Sequence, residues 1–288
     1  MPNLYVVATP IGNLEDISLR ALHILREVKL IAAEDTRKTK RLLTTYDIKT
    51  PMTSYHEYNK QTKLDYILGC LKDGDVALVS EAGMPGMSDP GYELIIAANQ
   101  RSIPVVPIPG PSAVITALVI SGLPTDRFLY IGFLPRKANA RRHLLESVAD
   151  EYGTLVALES PHRLLATLND LQLILGDRQI AVCRELTKVH EEVFRGTISQ
   201  ALKHFTKPRG EFTLVIEGKR EKHEPQLTED IEKQLHYRYL SGATAKEAIA
   251  KVAGETGLSK KELYRAWLKL DKVWGIKKDS CQSFERSQ

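Results

Sequence analysis

The chain has 288 residues, of which 43% are hydrophobic and 26% are charged, with a net charge of +4. This length allows a large core and favours two domains, and no apolar run approaches the roughly 18 residues that span a membrane. The amino terminus enters a predicted strand without a charged leader, so we expect no signal peptide and a cytoplasmic protein. Cys70, Cys183 and Cys281 are too far apart to indicate a zinc site or a disulfide framework, which fits a reducing compartment.

The positive charge is concentrated near the end of the chain. Residues 226–288 hold 12 basic and 9 acidic side chains, whereas residues 1–225 hold 28 and 27. A basic surplus of this size is compatible with nucleic-acid binding but does not require it.

Strands and helices alternate through the first 120 residues. Helical spacing of apolar residues predicts helices that begin near Ser18, Arg37, Lys63, Tyr92 and Ala113. Short apolar runs predict strands at Leu4–Ala8, Leu30–Ala33, Val76–Ser80 and Pro104–Ile108. Alternation with short links is typical of a mostly parallel sheet covered by helices. The sequence therefore predicts an α/β domain over residues 1–121, which ends at a break in the pattern over residues 121–124.

A second alternating series follows this break. Strands are predicted at Phe128–Gly132, Leu155–Leu158, Ile180–Cys183 and Glu211–Glu217, and helices at Ala138–Ala149 and Leu164–Leu175. We expect a second α/β domain over residues 122–222, with a cleft between the two domains. After a polar linker at residues 221–225, helices are predicted at Ile231–Tyr239, Ala245–Thr256 and Lys260–Lys269. They indicate a small all-α domain over residues 226–271, and residues 272–288 are expected to be a flexible tail.

The most unusual stretch is the loop from Ser80 to Gly91, which carries three glycines, two prolines and two acids. It follows a predicted buried strand, and ordering its glycines costs backbone entropy. Loops at the carboxyl ends of parallel strands commonly bind ligands. For this loop alone, a tight structural turn is an equally good interpretation.

Other loops follow strand ends in the same way. They are Thr9–Asn13, Pro109–Ala113, Glu159–Arg163, Arg184–Lys188 and the pair Phe212-Thr213. Each alone is more often a turn than a ligand contact, but two facing sheets would bring them together at one cleft. Ser112 and Ala113 would also begin a helix whose free N–H groups can bind a carboxylate. The sequence lacks the phosphate-binding GxxxxGK[ST], the dinucleotide-binding GxGxxG and the zinc-binding HExxH.

Eight short motifs, in this order along the chain, resemble the ribosomal RNA small subunit methyltransferase I family, which has the tetrapyrrole-methylase fold. The motifs are Ala8–Leu14, Ala33–Arg37, Ser54–Glu57, Ser80–Pro85, Ser88–Gly91, Pro109–Ala113, Gly132–Pro135 and Arg184–Lys188. The resemblance covers about residues 4–220 and is weaker as far as residue 270. Glu81 stands where the family pattern has Asp, and the carboxyl-terminal tail is longer.

The resemblance implies a homodimeric enzyme that uses S-adenosylmethionine to methylate the 2′-hydroxyl of a ribose, in a cytidine of the decoding region of 16S rRNA. The substrate is either the free rRNA or the assembled small ribosomal subunit, and no metal is expected. Matched position by position, the methyl donor would contact residues of both α/β domains, with Gly83 shaping its loop. The set is Pro10, Gly83, Met87, Ser112, Ala113, Leu158, Leu186 and Thr213.

The chemistry calls for a group that accepts or orients the proton of a ribose hydroxyl, because a protonated hydroxyl is a weak nucleophile. The candidates are the acids at predicted strand ends: Glu34, Asp35, Glu81, Glu159 and Glu185. We predict that Asp35 and Arg37 hold the ribose and its phosphate together, with Glu159 as the alternative catalytic residue. A helix cap or a structural ion pair is the competing interpretation for each acid, and alignment without any base is the third.

Two basic clusters are candidates for RNA binding. The first holds Arg37, Lys38, Lys40 and Arg41, and the second holds Arg136, Lys137, Arg141 and Arg142. Further candidates are Lys188 and Arg163 for a phosphate contact, and Tyr55, His56 and Tyr58 for stacking on a splayed base. Each basic run can equally be a solvated surface.

The carboxyl-terminal helices form either a helix-turn-helix-like RNA arm, with Lys260, Lys261, Tyr264 and Arg265, or a packing appendage. Two rival functions stand beside rRNA methylation. One is methylation of a small tetrapyrrole by the same fold, which the basic clusters and the carboxyl-terminal helices disfavour. The other is an RNA-binding assembly factor without catalysis, which donor binding would exclude.

Overall fold

The computed structural model describes residues 2–220 and 229–269. The chain divides into two compact units, Met1–Arg220 and Glu221–Gln288. The first unit holds two five-stranded sheets with their helices, so the predicted α/β class is confirmed. The domain boundary predicted at residues 121–124 falls between these sheets, inside the first unit. The predicted linker at residues 221–225 and the predicted tail at residues 272–288 lie outside the described residues.

The first sheet consists of β1 (Leu4–Val7), β2 (Leu30–Ala33), β3 (Met52–Ser54), β4 (Val76–Val79) and β5 (Val105–Ile108). It is entirely parallel, as predicted, with the order β3-β2-β4-β1-β5. Every residue of β2 and β4 is buried, which explains why both strands are continuous apolar runs in the sequence. The sequence did not predict β3, because three residues are too few to show a period.

Helices α1 (Leu19–Glu27), α2 (Thr36–Thr45), α3 (Lys60–Cys70), α4 (Tyr92–Gln100) and α5 (Ala113–Ile120) alternate with these strands. Polar side chains cap two helices at the edge where the predicted ligand loops lie. Asp35 accepts hydrogen bonds from the N–H groups of Arg37 and Lys38, and Ser112 accepts one from the N–H of Ile115. These caps satisfy backbone donors that have no partner within the helix.

The second sheet consists of β6 (Phe128–Phe133), β7 (Thr154–Glu159), β8 (Gln179–Arg184), β9 (Glu192–Thr197) and β10 (Phe212–Ile216). Its order is β6-β7-β10-β8-β9, and only the β6–β7 pair is parallel. β10 runs antiparallel to β7 and β8, and β9 runs antiparallel to β8. This sheet is therefore mixed, unlike the first, because β9 turns back along β8 and β10 inserts between β7 and β8.

The direction of β10 preserves the convergence of loops that was expected from parallel strands. Phe212, its first residue, pairs with Glu159 at the end of β7 and with Arg184 at the end of β8. The amino end of β10 and the carboxyl ends of β7 and β8 therefore share one edge of the sheet. The predicted ligand loops of the second half lie at this edge.

Helices α6 (Ala138–Ser147), α7 (Leu164–Leu175) and α8 (Ile198–His204) accompany the second sheet. Neither β9 nor α8 was predicted from the sequence. Thr197 and Gln200 form a capping box at the start of α8, and this Thr-x-x-Gln spacing was a readable signal. β9 is a partly exposed edge strand, and without a strong alternation of apolar and polar residues it gives little signal.

One helix that follows the first sheet, α5, packs against the second sheet. Val114, Ala117 and Leu118 of α5 belong to one apolar cluster with Val156 of β7 and Val215 of β10. All five side chains are buried. This contact joins the two halves of the first unit and leaves the first turn of α5 at the edge where the loops meet.

The described part of the second unit is helical, as predicted. It comprises α9 (Glu229–Leu240), α10 (Ala245–Thr256) and a helix over residues 260–269, around a core that includes Leu235, Val252 and Trp267. Gly257 ends α10 with a φ of 72°, a left-handed conformation that favours glycine. The short turn at residues 257–259 is compatible with a helix-turn-helix. No helix within residues 2–220 and 229–269 is long and apolar enough to cross a membrane.

A buried ion pair joins α6 to α7. Arg141 donates to one carboxylate oxygen of Asp170 through Nε at 2.8 Å and Nη2 at 2.6 Å, and Arg142 donates Nε to the other oxygen at 2.7 Å. Burial alone would raise the pKa of Asp170, but the hydrogen bonds from Arg142 and Arg141 outweigh it and hold the pKa below its usual value. Loss of one partner from such a pair leaves a buried charge without compensation.

We predict that Asp170→Ala lowers the free energy of unfolding by about 3–5 kcal/mol, because the buried guanidinium of Arg141 then lacks its partner. The matched control is Arg142→Ala, which removes the half-exposed partner and should cost about 1 kcal/mol or less. Urea unfolding followed by circular dichroism measures both variants. Equal losses would mean that Arg141 is not the dominant partner of Asp170.

Candidate functional site

An apolar cavity of about 420 Å³ is lined by both halves of the first unit, at the edge where the loops meet. Of the eight residues predicted to bind the methyl donor, seven line this cavity: Gly83, Met87, Ser112, Ala113, Leu158, Leu186 and Thr213. The eighth, Pro10, lines an adjoining side cavity of about 300 Å³. The loop after β1 thus lies next to the apolar cavity, and its Ile11 lines both spaces.

Backbone geometry holds the loops around this cavity in place. Thr9 and Gly83 exchange two backbone hydrogen bonds of 2.9 Å, which join the loops after β1 and β4. Gly83 has a φ of 79°, a value that a residue with a side chain rarely adopts. Ser88, Glu185 and Thr187 nevertheless adopt φ values of 66°, 49° and 65° in the loops after β4 and β8. Such strain is concentrated at functional sites, which supports a binding role for both loops.

An open polar groove of about 860 Å³ lies beside the apolar cavity. Asp35 and Arg37 line it at the start of α2, and His56 and Tyr58 line it after β3. The side chain of Arg37 is 91% exposed, and Tyr58 is 98% exposed. Exposed cationic and aromatic side chains are the groups that bind phosphates and stack on unpaired bases.

Three residues line both the apolar cavity and the polar groove, and all three are acids: Glu34, Glu81 and Asp89. We refer to them as the boundary acids. Glu34 accepts a hydrogen bond from the backbone N–H of Glu81 at 2.9 Å, and Glu81 forms an ion pair with Lys38. These carboxylates therefore lie where the two spaces adjoin.

Burial is the main cause of the shifted titration of two boundary acids. It raises the pKa of Glu34, with a further contribution from the charge of Asp35. It raises the pKa of Asp89 to about 7, with a further contribution from Glu34, while a hydrogen bond with Ser80 acts in the opposite direction. Titratable groups perturbed in this way are candidates for acid–base chemistry.

Asp89 was missing from the predicted catalytic acids. The sequence Ser88-Asp89-Pro90 is also typical of a turn, and turn residues are usually exposed. The available signal was its place in the glycine-rich loop after a buried strand, where it is one of two acids. The sequence does not reveal that this loop folds inwards and partly buries the carboxylate.

Asp35 has the contacts of a helix cap. One carboxylate oxygen accepts the backbone N–H of Arg37 at 2.8 Å and of Lys38 at 3.3 Å, and the other accepts from the guanidinium of Arg37 at 3.2 Å. The side-chain hydrogen bond from Arg37 lowers the pKa of Asp35. A carboxylate with a lowered pKa is a poor proton acceptor near neutral pH. The geometry brings Asp35 and Arg37 together, and it favours the helix-cap interpretation of Asp35 over a catalytic base.

Glu159 is buried, and three donors engage its carboxylate. They are the backbone N–H of Ser160 at 2.7 Å, the hydroxyl of Thr167 at 2.6 Å and the guanidinium of Arg163 at 2.7 Å. Arg163 also donates to the carbonyl of Leu134 at 2.7 Å, so it is not free to bind a phosphate. These contacts favour the structural ion-pair interpretation of Glu159, although its side chain lines the apolar cavity.

The second predicted basic cluster is divided by the fold. Arg136, Lys137 and Arg142 are exposed, whereas Arg141 is only 4% exposed and is paired with Asp170. We therefore remove Arg141 from the RNA-binding set, because its buried guanidinium cannot reach a phosphate. Consecutive helix residues point in different directions, which explains why two adjacent arginines differ so much.

The other residues predicted to contact RNA also differ in their exposure and in whether their charge is already paired. The ammonium group of Lys188 donates to Glu185 at 3.0 Å and to Glu211 at 2.8 Å, so it is not a free phosphate ligand. Tyr55 is buried in the core of the first sheet and cannot stack on a base. The first basic cluster, by contrast, is exposed at all four positions: Arg37, Lys38, Lys40 and Arg41.

Comparison with known proteins identifies relatives that align over nearly the whole chain. Residues 3–202 match the family described as Tetrapyrrole (Corrin/Porphyrin) Methylases. The chain is 49% identical over 273 residues to Ribosomal RNA small subunit methyltransferase I of Halalkalibacterium halodurans, with 92% of this chain and 94% of that protein covered. It is 46% identical over 272 residues to the protein of the same name from Bacillus subtilis, with 92% and 93% covered.

Solved structures with the same fold share little sequence with this chain. Uroporphyrin III C-methyl transferase from Thermus thermophilus superposes with a TM-score of 0.54 at 18% identity, over 75% of this chain and 97% of that chain. Diphthine synthase superposes with a TM-score of 0.57 at 14% identity, over 74% and 89%. At this level of identity the similarity concerns the fold alone.

Proposed function

Because this chain belongs to the tetrapyrrole methylase family, we propose that it methylates the 2′-hydroxyl of a ribose, in a cytidine of the decoding region of 16S rRNA. At a coarser level it is an S-adenosylmethionine-dependent methyltransferase of ribosomal RNA, the activity for which its relatives are named. The observation that carries the proposal is the adjacency of an apolar cavity and a polar groove that share the boundary acids. A donor in the cavity and an unpaired nucleotide in the groove would meet there.

The apolar cavity fits S-adenosylmethionine in its size and lining. Its volume lies within the usual range of small-molecule sites, and Met87, Leu158 and Leu186 offer an apolar surface. Ala113 allows close approach to the first turn of α5 because its side chain is small, and backbone N–H groups at a helix start can bind a carboxylate. When bound, the donor supplies a methyl group on a positively charged sulfur.

The chain's own residues have to align the acceptor and exclude water. Methyl transfer is an in-line displacement, so the acceptor oxygen must be held roughly 3 Å from the methyl carbon. We propose that Arg37 binds a backbone phosphate and that Tyr58 stacks on a base, because both are exposed in the polar groove. Phe133 and Leu158 offer apolar surface that limits the access of water to the cavity.

We also propose that the enzyme is a cytoplasmic homodimer. Ile115 and Val119 on α5, and Phe128 and Phe133 on β6, are large apolar side chains with exposed surface in the isolated chain. Exposed apolar groups on consecutive elements are typical of protein interfaces. A second copy of the chain would remove this surface from water.

The two rival functions differ from this proposal in what the protein must bind. An assembly factor needs no donor, so calorimetric titration with S-adenosylmethionine separates it from a methyltransferase. A small-molecule methylase needs no RNA, so ribose methylation should be mapped in the 16S rRNA of a knockout strain. Loss of one ribose methyl group supports the proposal, and an unchanged methylation pattern contradicts it. Assays with free rRNA and with assembled subunits then identify the substrate.

We predict that Ala113→Phe abolishes binding of S-adenosylmethionine in a folded protein, because the larger side chain fills the apolar cavity. The matched control is Ala138→Phe, at the exposed first residue of α6, which should bind like the wild type. Calorimetric titration measures the affinity, and circular dichroism reports the fold. Wild-type affinity in folded Ala113→Phe would contradict the assignment of the cavity.

We predict that reversing Arg136 and Lys137 to Glu weakens RNA binding and reduces the slope of log affinity against log salt by up to about 1.4, as expected for two lost phosphate contacts. The matched control reverses Lys49 and Lys72, which are exposed but outside both basic clusters. Filter binding over a range of salt concentrations measures both variants. If the slope and the affinity equal those of the control, Arg136 and Lys137 are only a solvated surface.

A further inference from the structure

We propose that Asp89 accepts the proton of the ribose hydroxyl that is methylated, and that Glu34 is a positioning residue that acts through Asp89. This inference rests on the proposed function, since it takes a ribose hydroxyl as the acceptor. Asp89 belongs to the loop between β4 and α4 and lines both the apolar cavity and the polar groove. The methyl group arrives from the cavity and the hydroxyl from the groove, so a proton acceptor is needed where the two spaces meet.

The backbone around Asp89 is held from two sides. Ser88 precedes it in a left-handed conformation, and the hydroxyl of Ser88 forms a hydrogen bond of 2.7 Å with the hydroxyl of Tyr130 on β6. Pro90 and Gly91 follow, and Gly91 leads directly into α4. The Ser88–Tyr130 contact joins this loop of the first sheet to a strand of the second. Asp89 is therefore fixed relative to both walls of the site.

The other acids of the site have structural partners. Glu81 is ion-paired with Lys38, and Glu34 accepts the backbone N–H of Glu81. By contrast, no ion pair joins Asp89 to a basic side chain of residues 2–220 or 229–269. An ionised Asp89 is thus a partly buried carboxylate without a fixed counter-charge, and such a group gains stability when it takes up a proton.

The titration of Asp89 suits a general base at physiological pH. Burial and then the charge of Glu34 raise its pKa to about 7, so a large fraction is ionised near neutrality. A base works best when its pKa lies near the working pH, since it is then both available and strong enough to take a proton. Asp35, whose pKa is lowered by Arg37, lacks the second property.

The proposed step balances in atoms and charge. A lone pair of the ribose oxygen forms a bond to the methyl carbon while the carbon–sulfur bond breaks and leaves its electron pair on sulfur. The hydroxyl proton moves to the carboxylate of Asp89, which becomes a neutral acid and later releases the proton to solvent through the open groove. A sulfonium and a carboxylate are thus replaced by a neutral thioether and a neutral acid. A site of low dielectric favours this loss of charge.

Other titratable groups line the same two spaces or contact a residue that lines them. They are Glu34 after β2, Asp35 before α2, Arg37 and Lys38 on α2, His56, Glu57 and Tyr58 after β3, Glu81 after β4, Tyr130 on β6, Glu159 at the end of β7 with its partner Arg163, Cys183 on β8, and Glu211 before β10. Glu34 is the member whose charge raises the pKa of Asp89. Burial raises the pKa of Tyr130, so this phenol stays protonated while Asp89 titrates.

Two isosteric variants test the proposal in the full-length protein. Asp89→Asn keeps the shape of the side chain but cannot accept the proton, and its single-turnover methylation should fall on the order of 10²–10⁴-fold. Calorimetric affinity for S-adenosylmethionine should fall far less than the rate, because Glu34 and Glu81 still face the donor. Filter-binding affinity for the rRNA should stay near the wild-type value. The matched control is Asp73→Asn, an exposed acid beyond the end of α3, which should methylate at the wild-type rate.

Glu34→Gln tests the positioning role through a readout that does not need the donor. Removal of a negative neighbour stabilises the carboxylate form of Asp89, so its pKa should fall. A carboxyl ¹³C NMR titration of the donor-free protein, with the Asp89 signal assigned by Asp89→Asn, should show a midpoint near 7 in the wild type and a lower midpoint in Glu34→Gln. The rise of kcat/KM with pH should move to lower pH by the same amount.

Different results would contradict the roles of Asp89 and Glu34 and the proposed methylation of a ribose. Wild-type single-turnover rates in Asp89→Asn, or an Asp89 midpoint that does not move in Glu34→Gln, would overturn the roles given to these two residues. The proposed function would stand in that case, because the wild type still methylates a ribose. If Asp89→Asn does not fold, the shift of the kcat/KM pH profile in Glu34→Gln decides. Transfer to a base nitrogen or carbon by the wild type would overturn the proposed function itself.

Discussion

The packing of α5 against the second sheet is the contact on which the geometry of the site depends. Ala117 has a small side chain, so the helix approaches β7 and β10 closely, while Val114 and Leu118 fill the space on either side. The first turn of α5 lies on the same rigid segment. A tilt of this helix would therefore move Ser112 and Ala113 away from the opposite wall of the cavity. The packing of the core therefore determines the shape of the cavity, because α5 lies in the core and its first turn forms part of the proposed donor site.

The mixed second sheet explains how residues far apart in sequence reach one edge. An all-parallel sheet would bring only carboxyl ends to this edge, but β10 contributes its amino end, beginning with Phe212 and Thr213. The strained residues Glu185 and Thr187 follow β8 at the same edge, and Thr187 accepts the backbone N–H of Asn13 from the loop after β1. The cost of that strain, about 1–3 kcal/mol per residue, is offset by contacts that only the assembled site provides. The loops of the two sheets therefore order one another.

The sequence predicted the strands and helices that carry strong periodicity, and it predicted the residues that now line the apolar cavity, through the resemblance of the loops. It failed where the outcome depends on pairing between distant residues. Arg141 and Arg142 are indistinguishable in the sequence, yet only the first is buried against Asp170, because that depends on how α6 docks on α7. Asp35 and Asp89 both follow buried strands, but the first caps a helix and the second lies in a loop that folds inwards. The burial of a carboxylate, and therefore its pKa, depends on the assembled fold rather than on the local sequence.

Charge is sorted by position in the first unit, and this order bears on how a phosphodiester chain approaches a cationic donor. Arg37 lies in the polar groove with a nearly fully exposed side chain, the boundary acids come next, and the apolar cavity lies beyond them. Charges within a few ångströms interact strongly, whereas salt screens exposed charges beyond about 8 Å. Phosphates are therefore attracted to Arg37 but repelled from the boundary acids. In the proposed reaction, the uncharged ribose hydroxyl would be the part of the RNA that reaches these acids at least cost. The same acids attract a positively charged sulfur, and this attraction disappears once the sulfur is neutral after transfer. In the proposed reaction, one set of carboxylates would orient the RNA, favour the charged donor over its neutral product and supply the proton acceptor.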